Sequence, residues 1–206
     1  MIRFMQVFIL SSFIGLAGCS DSGPVAPTSS NGILATAVQP GDDSIAQIAG
    51  DNGFTELVGA LQYVDAELGT GLVTLFAEGD RQLTVFAPTN QAFTDLYTLL
   101  SGVLGVTIDE ISDIPAPVVL DVLSYHVTPG RRAAASVLPK NNEKRISTLL
   151  GESFFVRNDG SIRDGLTGLR NDATIVDPDI SAANGMVHGI NQVIVPPSVV
   201  AALTAD

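Results

Sequence analysis

Beyond residue 41 the apolar positions recur at helical spacing in the first half of the chain and at strand spacing in the second. Asp42, Asp43 and Ser44 offer cap oxygens ahead of Ile45-Ala46-Gln47-Ile48-Ala49, and Leu57, Leu61, Val64 and Leu68 then fall at i, i+4, i+7 and i+11. Two short amphipathic helices with inward apolar stripes are predicted. After Arg81 the period changes to Leu83-Thr84-Val85-Phe86-Ala87, a β-branched and aromatic run stopped by Pro88, with Thr89 or Asn90 placed to cap a helix through Leu100. A buried strand thus feeds directly into a helix. Pro115 and Pro117 open another helix, which carries Val118, Val119, Val122 and Leu123 up to Tyr125.

In the second half, Phe154-Phe155-Val156-Arg157, then Asn158-Asp159-Gly160, then Ser161-Ile162-Arg163 predicts a hairpin, because the three turn residues tolerate positive φ. Further strands are expected at Ala173–Val176, Met186–Ile190 and Gln192–Val195. Helices followed by strands indicate an α+β domain, a mostly antiparallel sheet or small sandwich with several helices packed on it. Its expected bounds are 41–198, with 199–206 as a C-terminal tail, and there is no internal repeat.

The chain begins with one cation at Arg3, an apolar run from Phe4 to Ala17 and the tetrad Leu16-Ala17-Gly18-Cys19. The run falls short of the ~20 apolar residues a spanning helix needs, so residues 1–18 read as a secretion signal. The tetrad resembles the bacterial lipobox, which implies acylation of Cys19, the sole cysteine, and a membrane contact through that lipid alone. Ser20 in place of aspartate implies, by the same resemblance, sorting to the outer membrane or cell surface. Residues 19–40 then form the lipidated cysteine and a linker rich in Ser, Pro and Gly, whose segment Ser20–Gly32 reaches on the order of 20 Å root-mean-square.

The formal charge is −12, and loss of residues 1–18, whose one charged residue is Arg3, gives −12 − 1 = −13. Such a balance argues against nucleic acid and anionic lipid headgroups as partners. The carboxylates are spread along the chain, and 46% hydrophobic content supports one domain with a substantial core.

Three segments, in order, resemble the fasciclin-like domain family. Leu83 to Phe93 looks like its strand-to-helix signature, through Thr84, Phe86, Pro88, Thr89, Asn90 and Phe93. Leu123-Ser124-Tyr125-His126-Val127 with Pro129-Gly130 resembles its tyrosine–histidine motif, and Asn184 to Pro196, with Gly185, His188 and Asn191, its C-terminal signature. The family commonly has aspartate where Asn191 stands, so a charge-dependent role there is in doubt while a turn role survives. The resemblance implies adhesion or extracellular protein or glycan contact, with Tyr125 and His126 as candidate contact residues. The local reading of that pair is a partly buried couple bonded to neighbouring backbone, and His188 reads as a packed or edge histidine.

No catalytic, cofactor or metal set is expected. The G-x-S-x-G elbow, HExxH, paired-cysteine spacing, the P-loop and the dinucleotide fingerprint are all missing, and Ser124 near His126 is adjacency in sequence only. Arg131, Arg132, Lys140, Lys144 and Arg145 place five of ten cations within fifteen residues, either a contact patch for anionic polymers or a solvated loop. Asp172, Asp177 and Asp179 read as turn-formers around Pro178. The expected function is a lipid-anchored, non-catalytic adhesion module with weak self-association. The alternative is a carrier of a small sugar or lipid ligand, which a deep apolar pocket would favour.

Overall fold

The computed structural model describes residues 40–203 apart from Leu169. The signal peptide at 1–18, Cys19, the linker up to residue 39 and residues 204–206 lie outside the described residues.

Helix α1 (Ile45–Asp51) begins where the cap oxygens predict. Ser44 Oγ accepts from Gln47 N at 3.3 Å and Gln47 Oε1 accepts from Ser44 N at 2.8 Å, a reciprocal capping box. Helix α2 (Thr55–Leu68) has no side-chain cap of its own. Asn90, at the start of α4 (Asn90–Leu104), supplies one from a distance by accepting from Glu56 N and donating to Thr55 Oγ1. Helix α3 (Leu72–Glu78) was not signalled by periodicity. Its first turn is organised by Asp65 of α2, whose carboxylate accepts from Leu72 N and Val73 N at 2.8 Å each.

Strand β1 (Leu83–Pro88) pairs in parallel with β7 (Gly185–Ile190), in register from Leu83↔Gly185 to Pro88↔Ile190, and antiparallel with β2 (Val127–Pro129) on its other side. The remaining strands are β3 (Glu143–Ser147), β4 (Ser153–Arg157), β5 (Ser161–Arg163) and β6 (Ala173–Ala182). They complete one seven-stranded sheet in the order β2-β1-β7-β6-β5-β4-β3. All pairings but β1–β7 are antiparallel, so the α+β reading holds as a single open sheet and not a sandwich. The β4–β5 hairpin turns as expected, with Gly160 at φ +83° and Asp159 accepting from Ser161 N.

Every residue of β1 and β7 is buried because both faces are covered. Leu83, Val85, Ala87 and Val187 join the cluster under α1, α2, α4 and α5 (Ala116–Tyr125). Phe86 and Ile190 point the other way, into a second cluster with Tyr125, Ile146, Phe154, Val156, Ile162 and Val137 of α6 (Ala134–Val137). Phe154 is its hub, edge-on to Phe86 at 5.0 Å and to Tyr125 at 5.7 Å between ring centroids.

Two expectations are corrected. Gln192–Val195 is not a strand, because side chains and a loop satisfy its backbone. Val193 O accepts from Arg170, Ile194 N donates to His126, Val195 N donates to Asp164, and Val195 O accepts from Gly165 N. Nor does the domain stop at 198: α7 (Pro197–Leu203) starts on Pro196 O, which accepts from Val199 N and Val200 N, and it buries Val199 against α5. The segment 199–203 is therefore helix rather than tail.

The β1–β7 register leaves no room at Gly185, where a Cβ would stand 2.0 Å from Leu83 O and 2.8 Å from Ile45 Cδ1. Gly185→Ala is expected to destabilise the domain by about 3 kcal/mol in urea unfolding. Gly102→Ala, with nothing within 4 Å on the α4 surface, is expected to stabilise it by about 0.5–1 kcal/mol.

Candidate functional site

The tyrosine–histidine motif ends α5, and both side chains point inward. Tyr125 is 0% and His126 2% exposed, so neither is a contact residue, which corrects the surface role that the resemblance implies. Tyr125 donates its hydroxyl to Ser153 O at 3.1 Å, and burial pushes its phenol well above the usual range. His126 caps α5 and bridges to the C-terminal segment, with Nδ1 2.7 Å from Val122 O and Nε2 accepting from Ile194 N at 3.1 Å. An acceptor Nε2 assigns the proton to Nδ1.

His188, on β7, takes the opposite tautomer. Its Nδ1 accepts from Asp179 N at 3.1 Å, which leaves Nε2 to donate to Arg132 O at 2.9 Å. It is a packed histidine, 0% exposed and tilted against Phe86 at 5.5 Å. Both histidines in the chain thus act as neutral bridges between backbone segments distant in sequence. With both ring nitrogens bonded to main chain, His126 has no lone pair left to activate Ser124.

The other motif residues are structural in the same sense. Thr84 Oγ1 donates to Gly130 O and accepts from Arg132 N, Thr89 caps α4 by accepting from Ala92 N, and Phe93 and Pro88 are buried. Asn184 accepts from Ile45 N at 2.9 Å and donates to Phe76 O at 3.0 Å, tying α1 and α3 to the start of β7. Asn191 keeps the turn role its amide permits, accepting from Thr174 N at 2.7 Å. Sequence reasoning missed the partly buried pair Arg170–Asp164, 3.0 Å apart, which holds 192–195 in place. Burial pushes the Asp164 carboxyl up in spite of the guanidinium, so the pair fixes position more than it stabilises.

The five clustered cations do not form one patch. Arg131 is half-buried and donates to Ala182 O and Gly185 O at 2.6 Å each, and Arg132 donates to Pro129 O. Lys144 reaches Ser136 O, while Lys140 and Arg145 are exposed. What the sheet assembles instead is a transverse row on its outer face. Register places Arg145 of β3 opposite Phe155 of β4, and Phe155 opposite Arg163 of β5, whose guanidinium stacks 4.9 Å from the Phe155 ring centroid. Glu143 braces the row, pairing with Arg163 at 2.7 Å and Arg157 at 3.1 Å. Period-2 alternation within each strand could not rank Phe155 and Arg163 as neighbours of Arg145, because pairing between strands sets that register.

The acidic trio is also dispersed in role. Asp172 pairs with Arg157 at 2.6 Å, Asp177 lies at the β6 bulge, and Asp179, at φ +63° after Pro178, accepts from Ala134 N at the start of α6. Among the described residues no group of three or more His, Cys, Asp or Glu is placed to hold a metal ion, and no helix is long and apolar enough to cross a membrane. A cavity of about 330 Å³ opens between α4, α5, α7 and the loop from Gly105 to Pro115. Its walls are mostly aliphatic, with Phe93, Thr107, Asp113 and His126 also in the lining.

A mostly antiparallel sheet with a buried parallel β1–β7 pair, crossed by these three motifs, defines the class of domain. The fasciclin domain family model matches residues 52–196, and the chain belongs to that family. It is 32% identical over 173 residues to Protein sll1483 of Synechocystis, covering 82% of this chain and 83% of that protein. It is 29% identical over 185 residues to Immunogenic protein MPB70 of Mycobacterium bovis, covering 88% and 81%. The transforming growth factor-beta-induced protein ig-h3 of Sus scrofa is 33% identical over 152 residues, 73% of this chain and 19% of that protein.

Burial lowers the His126 pKa to about 4, with the nearby Arg170 cation adding to the effect and the Val122 carbonyl opposing it. Burial also lowers that of His188. The unfolded chain binds a proton at His126 near the usual ~6.5 and the folded domain only near 4, so stability is full above the first value and declines as pH falls to the second. This group alone contributes a loss of up to about 3 kcal/mol across that window. Urea midpoints between pH 7 and 4 are expected to fall for the unaltered domain, and His126→Asn should be weaker at pH 7 but show a shallower decline. Equal slopes in the two proteins would contradict the assignment.

Proposed function

We propose that the chain is a non-catalytic adhesion or interaction module, held at the outside of the cell envelope by acyl chains on Cys19 and presented by the linker 19–40. The observation that carries this reading is the row Arg145–Phe155–Arg163 on the outer face of β3, β4 and β5. A cationic and aromatic strip on a rigid sheet, in a chain of net charge −12, fits an anionic protein or glycan surface. The same strip can meet the acidic surface of another copy, which supports weak self-association. Single contacts of this size are weak, and many copies on one membrane raise the avidity without any new contact.

The non-catalytic reading is supported by the fate of the two histidines, both occupied by backbone. The contact surface is moved from Tyr125 and His126, which are buried, to the outer sheet face.

Surface plasmon resonance on immobilised sulfated glycan and on isolated cell envelopes tests the strip. Arg145→Glu with Arg163→Glu is expected to weaken retention by about tenfold or more, and high salt should do the same to the unaltered domain. Retention that is indifferent to both changes would show that the strip is not the contact surface. Mass spectrometry of the mature protein should show the added mass of acyl chains on a peptide beginning at Cys19.

A further inference from the structure

We propose that the cavity between α4, α5 and α7 takes up a single neutral aliphatic chain. This is independent of the adhesion reading, since the cavity and the Arg145–Phe155–Arg163 row share no residue. At about 330 Å³ it exceeds twice the ~150 Å³ that suffices for a benzene ring and reaches the ~300 Å³ at which small-molecule sites begin.

The lining selects the chemistry. Leu96 and Leu100 of α4, Val118 and Val122 of α5, Val195 of the segment before α7 and Leu203 of α7 line it. A sugar needs several convergent donors and acceptors, and of the three polar side chains in the lining, Thr107 is exposed while Asp113 and His126 are committed to main chain. His126 has both ring nitrogens on backbone, and the Asp113 carboxylate accepts from Asp109 N at 2.9 Å and Glu110 N at 3.1 Å. Methylenes are the groups that gain most from such walls.

The mouth gives the second observation. Val103, Leu104 and Val106 are 59%, 39% and 56% exposed, half of the six large hydrophobics that stand in solvent among the described residues. Leu104 and Val106 belong to the cavity lining itself. Apolar lips continuous with an apolar interior let a chain slide in from water without crossing a polar ring.

The rim decides the head group. Asp113 is the one carboxylate in the lining, and no cation lines the cavity among the described residues. A carboxylate head would rest against like charge, whereas a neutral head is indifferent to it. The ligand class is therefore an alcohol- or ester-headed alkyl chain and not a fatty-acid anion.

The test uses the lipid-free chain from Ser20 onward and Nile red, a neutral dye whose fluorescence rises in apolar surroundings. Dodecanol is expected to displace the dye, dodecanoate to do so at least about tenfold more weakly, and maltose not at all. Asp113→Asn, which removes the one carboxylate of the lining, should narrow the gap between the two amphiphiles, a shift that mere dye adsorption would not show. Val122→Trp and Val118→Trp, which fill the cavity, should abolish uptake while keeping a cooperative thermal transition. Folded variants that still bind dye as before, equal displacement by dodecanoate, or displacement by maltose would overturn the proposal. If neither variant folds, the competition between dodecanol and dodecanoate on the unaltered chain decides it. Flotation with phosphatidylcholine vesicles separates chain uptake from lying on a bilayer: binding that survives Val122→Trp would assign the lips to a membrane surface and overturn the cavity.

Discussion

The parallel pairing of β1 with β7 is the constraint from which the rest of the molecule follows. The two strands are about a hundred residues apart in sequence, and everything between them must leave the sheet and return on the correct side. Because both strands are covered on both faces, their alternating side chains divide the interior into two cores: Leu83, Val85 and Ala87 face the helices, and Phe86 faces the aromatic cluster around Phe154. A one-residue slip would exchange these sets, so the register is held by packing on both sides at once. Gly185 marks the place where this pairing draws two backbones too close for any side chain.

Polar side chains inside the domain act as clamps on that frame. Asn184 holds α1 and α3 to the first residue of β7, Thr84 holds the turn after β2, and His188 fastens the loop after β2 to the bulge of β6. His126 and the Asp164–Arg170 pair do the same for 192–195. Each satisfies main-chain groups that the topology leaves without a ladder partner, and each is costly to leave half-bonded. The conspicuous motif residues thus serve the fold itself. Two features remain outside that structural work: the cationic and aromatic row on the outer sheet face and the aliphatic cavity among the helices. They lie on different elements, so contact with a surface and uptake of a small apolar molecule need not compete.

Much of the local structure was legible in the residues. Cap oxygens at Ser44 and Thr89, the proline stop after Ala87, the prolines opening α5 and the Asn158-Asp159-Gly160 turn act within a few residues of themselves, and each element starts or ends where those groups dictate. The fasciclin signature was equally plain, since its residues are the ones the fold requires. Helix α3, strand β3 and the irregular course of 192–195 were not legible. Their boundaries depend on Asp65, on pairing with β4, and on Asp164, Arg170 and His126, all of which act across the chain.

The α+β class, the order of the main elements and the acidic balance can be read from the residues alone, because periodicity, capping and charge are local or additive properties. Only the tertiary structure decided that Tyr125 and His126 are buried, that residues 199–203 form a helix, that Arg131, Arg132 and Lys144 are engaged with backbone, and that Arg145 lies beside Phe155 and Arg163. The reason is that burial and neighbourhood are properties of pairs of segments, and the energy that selects them comes from surfaces that meet only when distant strands and helices close on one another.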